Sequence, residues 1–70
     1  MKTDILKTFG ERVKKLRLEK NWSQETLAEK TGFHRTYIGM VERGERNLSL
    51  KNIETFAITF EIKISELLEL

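Results

Sequence analysis

Residues 24–43, QETLAEKTGFHRTYIGMVER, contain the two helices and the turn that decide the fold. Gly32 suits the positive φ that closes a first helix, and the small Ala28 lets a second helix approach. Ile38 and Val41 lie three residues apart and are predicted to face inward. Two helices that cross tightly at a short turn need these residue types at these positions, so the stretch predicts a helix-turn-helix.

Length and composition limit what the chain can be. Its 70 residues suit one small domain, and the absence of Cys beside a single His excludes a cysteine-based zinc site. No run approaches the about eighteen apolar residues of a membrane helix, and the N-terminal segment lacks a signal-peptide pattern. We therefore expect a cytoplasmic protein without metal, cofactor, small-molecule ligand or membrane association. Nothing in the sequence assembles a nucleophile with a base, so no enzyme is expected.

Charge is unevenly distributed along the chain, although the net charge is only +2. Residues 1–22 hold seven Lys and Arg against three acidic residues, whereas residues 48–70 hold two against four. A nucleic-acid footprint is usually more basic than this. Charge alone therefore leaves open whether the basic faces bind nucleic acid or are merely solvated.

Helices are also predicted on both sides of the motif. Apolar residues at helical spacing predict an amphipathic helix from about 4 to 20, ended by Asn21, in which Gly10 is only an unfavourable helix residue. Trp22 then follows at a corner and is predicted to pack on the core. Ser23 is the predicted N-cap of the second helix, and Gly44 ends the third helix after Arg43.

The C-terminal third predicts two more helices. Ser49 is the predicted cap of a fourth helix, and Ser65 that of a short last helix over 66–70. The core-facing stripe of the fourth helix has the spacing i, i+3, i+4, i+7 and comprises Ile53, Phe56, Ala57 and Phe60.

At this point the chain resembles the Cro/C1-type (XRE) regulators. The resemblance rests on RVKKLRLEKNWSQETLAEKTG (12–32), RTYIGMVERGERNLSLKNIETFA (35–57) and ISELL (64–68). It implies an all-α, five-helix, lambda-repressor-like DNA-binding domain over residues 1–70. Within the family, RTYIGMVERGERNLSLKNIE (35–54) is especially similar to restriction–modification controller proteins, which time expression of the endonuclease and of their own gene. A phage-type repressor, an antitoxin or a helical protein-interaction module remains an alternative.

The resemblance implies roles for particular residues. The third helix enters the major groove by its N-terminal end in this motif, and the candidate base contacts on or beside it are Arg35, Thr36, His34 and Met40. The candidate phosphate contacts are Ser23, Gln24, Tyr37, Arg43, Arg46, Asn47 and Ser49.

Four positions depart from the family pattern. His34 is a weaker helix cap than the usual Ser, Thr or Asp, and Phe33 replaces a medium aliphatic residue. Glu61 stands where glycine usually follows the fourth helix, so a different turn is expected there. Gly39 lies on the presumed groove face, where it indicates either close approach of the backbone to DNA or neutral variation.

The resemblance also implies a structural ion pair between Arg17 and Glu42, which locks the third helix to the first. More apolar side chains lie near the C-terminus than so small a core can bury, which predicts a homodimer. The candidate interface residues are Ile58, Ile62, Ile64, Leu68 and Leu70. The expected partners are an operator in double-stranded DNA and a second copy of the chain, with RNA polymerase a further candidate.

Overall fold

The structure, a computed structural model, describes residues 4–70, which form five helices and no strand. The helices are α1 (Ile5–Glu19), α2 (Gln24–Thr31), α3 (Arg35–Glu42), α4 (Leu50–Phe60) and α5 (Ile64–Leu67). α1 packs chiefly on α3, α2 packs on α3 and α4, and α5 packs on α4. The predicted all-α, five-helix fold with a helix-turn-helix at α2 and α3 is confirmed.

Side-chain caps start three of the helices. The side chains of Asp4, Ser23 and Ser49 each accept a hydrogen bond from the backbone N–H three residues later, at 3.0–3.2 Å. Each such cap is worth about 1 kcal/mol relative to alanine. The predicted caps Ser23 and Ser49 are confirmed, and each fixes where its helix begins.

Left-handed residues end four of the helices: Asn21 (φ 59°), Gly32 (φ 81°), Gly44 (φ 76°) and Glu61 (φ 59°). The expectation of a different turn at Glu61 is wrong. Glu61 donates to Ile58 O, and the next N–H, that of Ile62, donates to Ala57 O, both at 3.0 Å. This is the pair of hydrogen bonds that a glycine would close, and Glu61 adopts it at a cost of about 1–2 kcal/mol.

The last helix begins differently from its prediction. α5 spans Ile64–Leu67, so Ser65 lies inside it and does not cap it. Lys63 precedes the helix, and its backbone N–H donates to Glu66 Oε1 at 2.9 Å. The carboxylate of Glu66, and not the hydroxyl of Ser65, therefore accepts the hydrogen bond from the N–H that precedes the helix. Leu67, which is fully buried, anchors this short helix to the core.

All five helices contribute buried apolar side chains to one core. Its buried apolar members are Phe9, Val13, Leu27, Ala28, Ile38, Val41, Phe56, Ala57, Phe60 and Leu67. Phe56, at its centre, contacts the ring of Phe9 edge-on and that of Phe33, with centroids 6.3 and 5.4 Å apart. Trp22 stacks on Phe60 at 5.9 Å, which confirms its predicted packing on the core.

Gly10 has a structural role that the sequence prediction missed. A Cβ at this position would lie 2.3 Å from Val41 O and 2.7 Å from Glu42 O, both backbone atoms of α3. Any side chain here would push α1 and α3 apart. The prediction that Gly10 merely weakens α1 is therefore wrong, since the glycine is what lets the two helices cross so closely.

Candidate nucleic-acid interface

A buried polar network fixes α3 to α1 and α2. Arg17 Nε donates to Glu42 Oε2 at 2.6 Å, and Arg17 Nη2 donates to Glu42 Oε1 at 3.1 Å. The remaining Arg17 nitrogen, Nη1, donates to Trp22 O at 2.8 Å, and Gln24 Nε2 donates to Glu42 Oε1 at 3.0 Å. The structure thus brings together the Arg17–Glu42 pair and adds Gln24, so hydrogen bonds tie the end of α3 to α1 and to the start of α2.

The start of α3 is open to solvent. His34, Arg35 and Thr36 are all exposed. His34 precedes the helix but its side chain makes no capping hydrogen bond, so the first N–H groups of α3 stay available to an external acceptor. Met40, one turn later, is half-buried.

A shallow groove joins α2 to the start of α3. Ser23, Gln24 and Arg35 line it, so one candidate base contact lies beside two candidate phosphate contacts. Glu25 and Glu29 line the same groove. The Arg35 guanidinium and the N-terminus of α2 favour an anion in this groove, whereas the two carboxylates disfavour one.

Beyond α3, Arg46 rests on Tyr37, which two further side chains hold. The Arg46 guanidinium lies over the ring of Tyr37, 5.4 Å from its centroid. The Tyr37 hydroxyl accepts from Asn52 Nδ2 at 3.0 Å, and its ring contacts that of Phe33 edge-on at 4.9 Å. The sequence prediction did not include Asn52, although its place three residues after the Ser49 cap put it in the first turn of α4. Tyr37 is therefore held on two sides before any ligand binds.

Arg43 is paired with a residue that the prediction did not include. Its Nε and Nη2 donate to Glu45 Oε2 and Oε1 at 3.0 and 3.2 Å, and both side chains are exposed. The hydrogen bond and the charge of Glu45 raise the pKa of Arg43, and the hydrogen bond from Arg43 lowers the pKa of the Glu45 carboxyl. Glu45 sits only two residues along the chain, beyond the left-handed Gly44, so helical periodicity gave no signal for it.

Two candidate phosphate contacts lie apart from the groove. Asn47 is exposed and borders an apolar groove formed by residues such as Leu48, Leu68 and Leu70. Ser49 is exposed too, but its hydroxyl already accepts the capping hydrogen bond of α4. A phosphate can reach either side chain from solvent.

The five candidate interface residues are not alike. Ile58 is 67 % exposed, and Leu68 and Leu70 are exposed beside the apolar groove, which Ile5 also lines. Ile62 and Ile64, by contrast, are half-buried against the chain's own core. Leu50, which was not predicted, is exposed and borders a second shallow groove with Ile64. Exposed apolar surface therefore remains on α4 and at the C-terminus. Of the five predicted residues, Ile58, Leu68 and Leu70 form it, whereas Ile62 and Ile64 belong mainly to the core.

Two other kinds of feature are absent from residues 4–70. In that part of the chain, no group of three or more His, Cys, Asp and Glu side chains is arranged to hold a metal ion. None of the described helices has the length and apolar character to cross a membrane.

Comparisons with known proteins agree with this geometry. Residues 13–67 match the family HTH_3, described as helix-turn-helix. Over 70 residues the chain is 44 % identical to the control protein C.BamHI of Bacillus amyloliquefaciens, covering 99 % of this chain and 86 % of that protein.

Two solved structures share the fold. The restriction–modification controller protein C.AhdI of Aeromonas hydrophila superposes with a TM-score of 0.83 at 50 % identity, over 91 % of this chain and 96 % of the other. The controller protein C.Esp1396I, crystallised as a tetramer with its natural 35 base-pair operator, superposes with a TM-score of 0.83 at 37 % identity. That match covers 96 % of this chain and 92 % of the other.

Proposed function

The chain belongs to the helix-turn-helix family HTH_3, and we propose that it is a sequence-specific, double-stranded-DNA-binding transcriptional regulator of the restriction–modification controller type. The observation that carries this proposal is the contrast within α3. Its inner side is fixed by the Glu42 network, while its first turn presents Arg35 and Thr36 to solvent. A regulator of this kind acts in the cytoplasm beside the DNA that it controls.

Arg35 and Thr36 are the proposed base contacts, with His34 and Met40 beside them. The N-terminal part of a recognition helix enters the major groove, where an arginine can bond bidentately to guanine O6 and N7. Arg35 is exposed and shares a groove with Gln24, which its bond to Glu42 holds in place. We propose that Gln24 and Ser23 bind the phosphate next to the base pair that Arg35 contacts.

The second group of proposed contacts holds the backbone. Arg46 lies beyond the end of α3 and rests on Tyr37, so its guanidinium is oriented before binding. Phosphate contacts fix position and carry no sequence information directly. Asn47 and Ser49 belong to this group, and Arg43, which is paired with Glu45, joins it as a phosphate contact once the protein is in register on its operator.

Binding titrations test the two groups separately. An operator is first selected from random duplexes with the unaltered protein, and a scrambled duplex serves as the comparison. We expect Arg35→Ala to lose about 1–3 kcal/mol on the operator and little on scrambled DNA. Arg46→Ala should weaken both and flatten the plot of log affinity against log salt by about 0.9 per lost contact. Lys14→Ala, an exposed cation on α1, is the control for charge removal alone.

Equal losses by Arg35→Ala on both duplexes would assign Arg35 to phosphate. Base recognition would then rest on Thr36, Met40 or His34. Failure of the unaltered protein to select any sequence would contradict the proposed function itself.

We also propose a homodimer on a palindromic or pseudo-palindromic operator, with two copies of α3 about 34 Å apart on one face of the duplex. Exposed apolar side chains on α4 and at the C-terminus, notably Ile58 and Leu68, support it. Because a two-fold interface repeats each substitution, Leu68→Asp should dissociate the dimer. Leu18→Asp, at an exposed apolar residue of α1, is the matched control. Sedimentation of the unaltered protein as a monomer at tens of micromolar would contradict a dimer in free solution.

A further inference from the structure

We infer that Glu45 is a specificity-determining residue: it holds the Arg43 guanidinium over Gly39 and neutralises it, so that Arg43 favours the operator and contributes little to binding of other DNA. The inference rests on the proposed DNA-binding function and adds to it a residue that contacts no DNA. It also accounts for a glycine in the middle of α3.

Gly39 leaves a notch in the outer surface of α3. The atoms nearest to a Cβ built there are the ends of two polar side chains, Arg43 Nη1 at 3.1 Å, Arg43 Cζ at 3.9 Å and Gln24 Oε1 at 3.9 Å. Gly39 is nevertheless buried. The guanidinium of Arg43 therefore occupies the space that a side chain at position 39 would fill, directly on the helix proposed to enter the groove.

Glu45 fixes that guanidinium from the other side. Its two carboxylate oxygens bind Arg43 Nε and Nη2, so Nη1 is the nitrogen nearest to Gly39. Because Glu45 binds the Nε–Nη2 edge of the planar guanidinium, Nη1 is left facing the notch. Arg43 is thus presented to DNA at a defined place, beside Gln24.

The pair also changes what Arg43 contributes to non-specific binding. Affinity for any duplex comes chiefly from cations that displace counterions at phosphates. The Arg43–Glu45 pair has no net charge. Arg43 in this pair therefore displaces fewer counterions when the protein binds an arbitrary sequence. At the operator, where other contacts fix the register, an acceptor placed beside the guanidinium can bind it directly.

Glu45→Gln tests this inference, with Glu11→Gln as the control because it removes the same charge from an exposed residue of α1. On the scrambled duplex, Glu45→Gln should strengthen binding by up to about fivefold per subunit. Its salt plot should steepen by about 0.9 per subunit relative to Glu11→Gln, since one more cation meets phosphate. The ratio of operator to scrambled affinity should fall.

Gly39→Ala gives the second measurement without threatening the fold, because alanine is favoured over glycine in a helix and only the flexible end of Arg43 lies close. The displaced guanidinium should cost about tenfold on the operator and far less on scrambled DNA. The inference is overturned if Glu45→Gln and Glu11→Gln give the same salt slope, or if Gly39→Ala weakens both duplexes equally. If the unaltered protein selects no sequence, the proposed function fails and this inference with it.

Discussion

Two arginine–glutamate pairs lie within a few residues of each other and have nearly the same geometry, yet they occupy opposite environments. In the inner pair, Arg17–Glu42, the side chains are 8 % and 3 % exposed, whereas in the outer pair, Arg43–Glu45, they are 58 % and 50 % exposed. Both are bidentate. Because exposed pairs are worth at most about 1 kcal/mol and an unpaired buried charge costs several, burial decides what each pair does.

The inner pair fixes the position of α3 relative to α1 and α2, whereas the outer pair neutralises the charge of Arg43 at the end of α3. Glu42 accepts from Arg17 on α1 and from Gln24 on α2, so it joins three helices. Among residues 4–70, Glu45 accepts side-chain hydrogen bonds only from Arg43, in the loop after α3. Losing the first should lower the stability of the fold, and losing the second should chiefly change which DNA is bound.

The largest predicted effect separates the two pairs by stability. Glu42→Ala leaves Arg17 buried without its partner, and we expect a loss of about 3–5 kcal/mol in the free energy of unfolding. Glu45→Ala should lose at most about 1 kcal/mol. Chemical denaturation of both variants beside the unaltered protein measures the difference. Equal losses would show that burial does not distinguish the pairs.

One glycine lies beside each pair, Gly10 beside Glu42 and Gly39 beside Arg43, so their substitution compares the same two environments. Gly10→Ala forces a Cβ against backbone oxygens of Val41 and Glu42 at the crossing that the inner pair closes, so a loss of about 1–3 kcal/mol is expected. Gly39→Ala meets only the tip of Arg43, so the free energy of unfolding should stay level or rise. Thermal melts of the two variants test this. A stable Gly10→Ala protein would mean that α1 and α3 can separate without penalty.

The features that the sequence predicted correctly depend on interactions between neighbouring residues. The caps Ser23 and Ser49 bond within their own first turns, and the stripe of α4 follows from helical periodicity, so neighbouring residues were sufficient. The role of Gly10 depends instead on carbonyl groups of α3, some thirty residues away, whose approach no local pattern reveals. The pairing of residues 25 apart, Arg17 and Glu42, came from a family resemblance and not from spacing.

The turn after α4 shows why a local rule can fail. Glycine is favoured at a left-handed position, so Glu61 indicated another turn. The next residue, Ile62, packs against the core, and its N–H closes the turn on Ala57 O. Packing of Ile62 against the core offsets the strain at Glu61. Because this packing is a tertiary contact, the local sequence does not reveal it. At the candidate interface, likewise, the notch at Gly39 is filled by Arg43 and Gln24, whose positions depend on the loop after α3 and on Glu42.

The smallest predicted effect concerns the outer pair alone and is seen as pH is lowered. Hydrogen bonds from Arg43 lower the pKa of the Glu45 carboxyl below its ordinary value. A group whose pKa is lower in the folded protein stabilises the fold above its unfolded pKa and loses that contribution as pH falls through its folded pKa. Carbon-13 NMR titration of the Glu45 carboxyl should therefore give a low pKa in dilute salt. Because the pair is exposed, molar salt should return the pKa towards its ordinary value, as should Arg43→Gln. A pKa that stays low in Arg43→Gln would show that Arg43 is not its cause, and the restraint of Arg43 by Glu45 would then have no electrostatic basis.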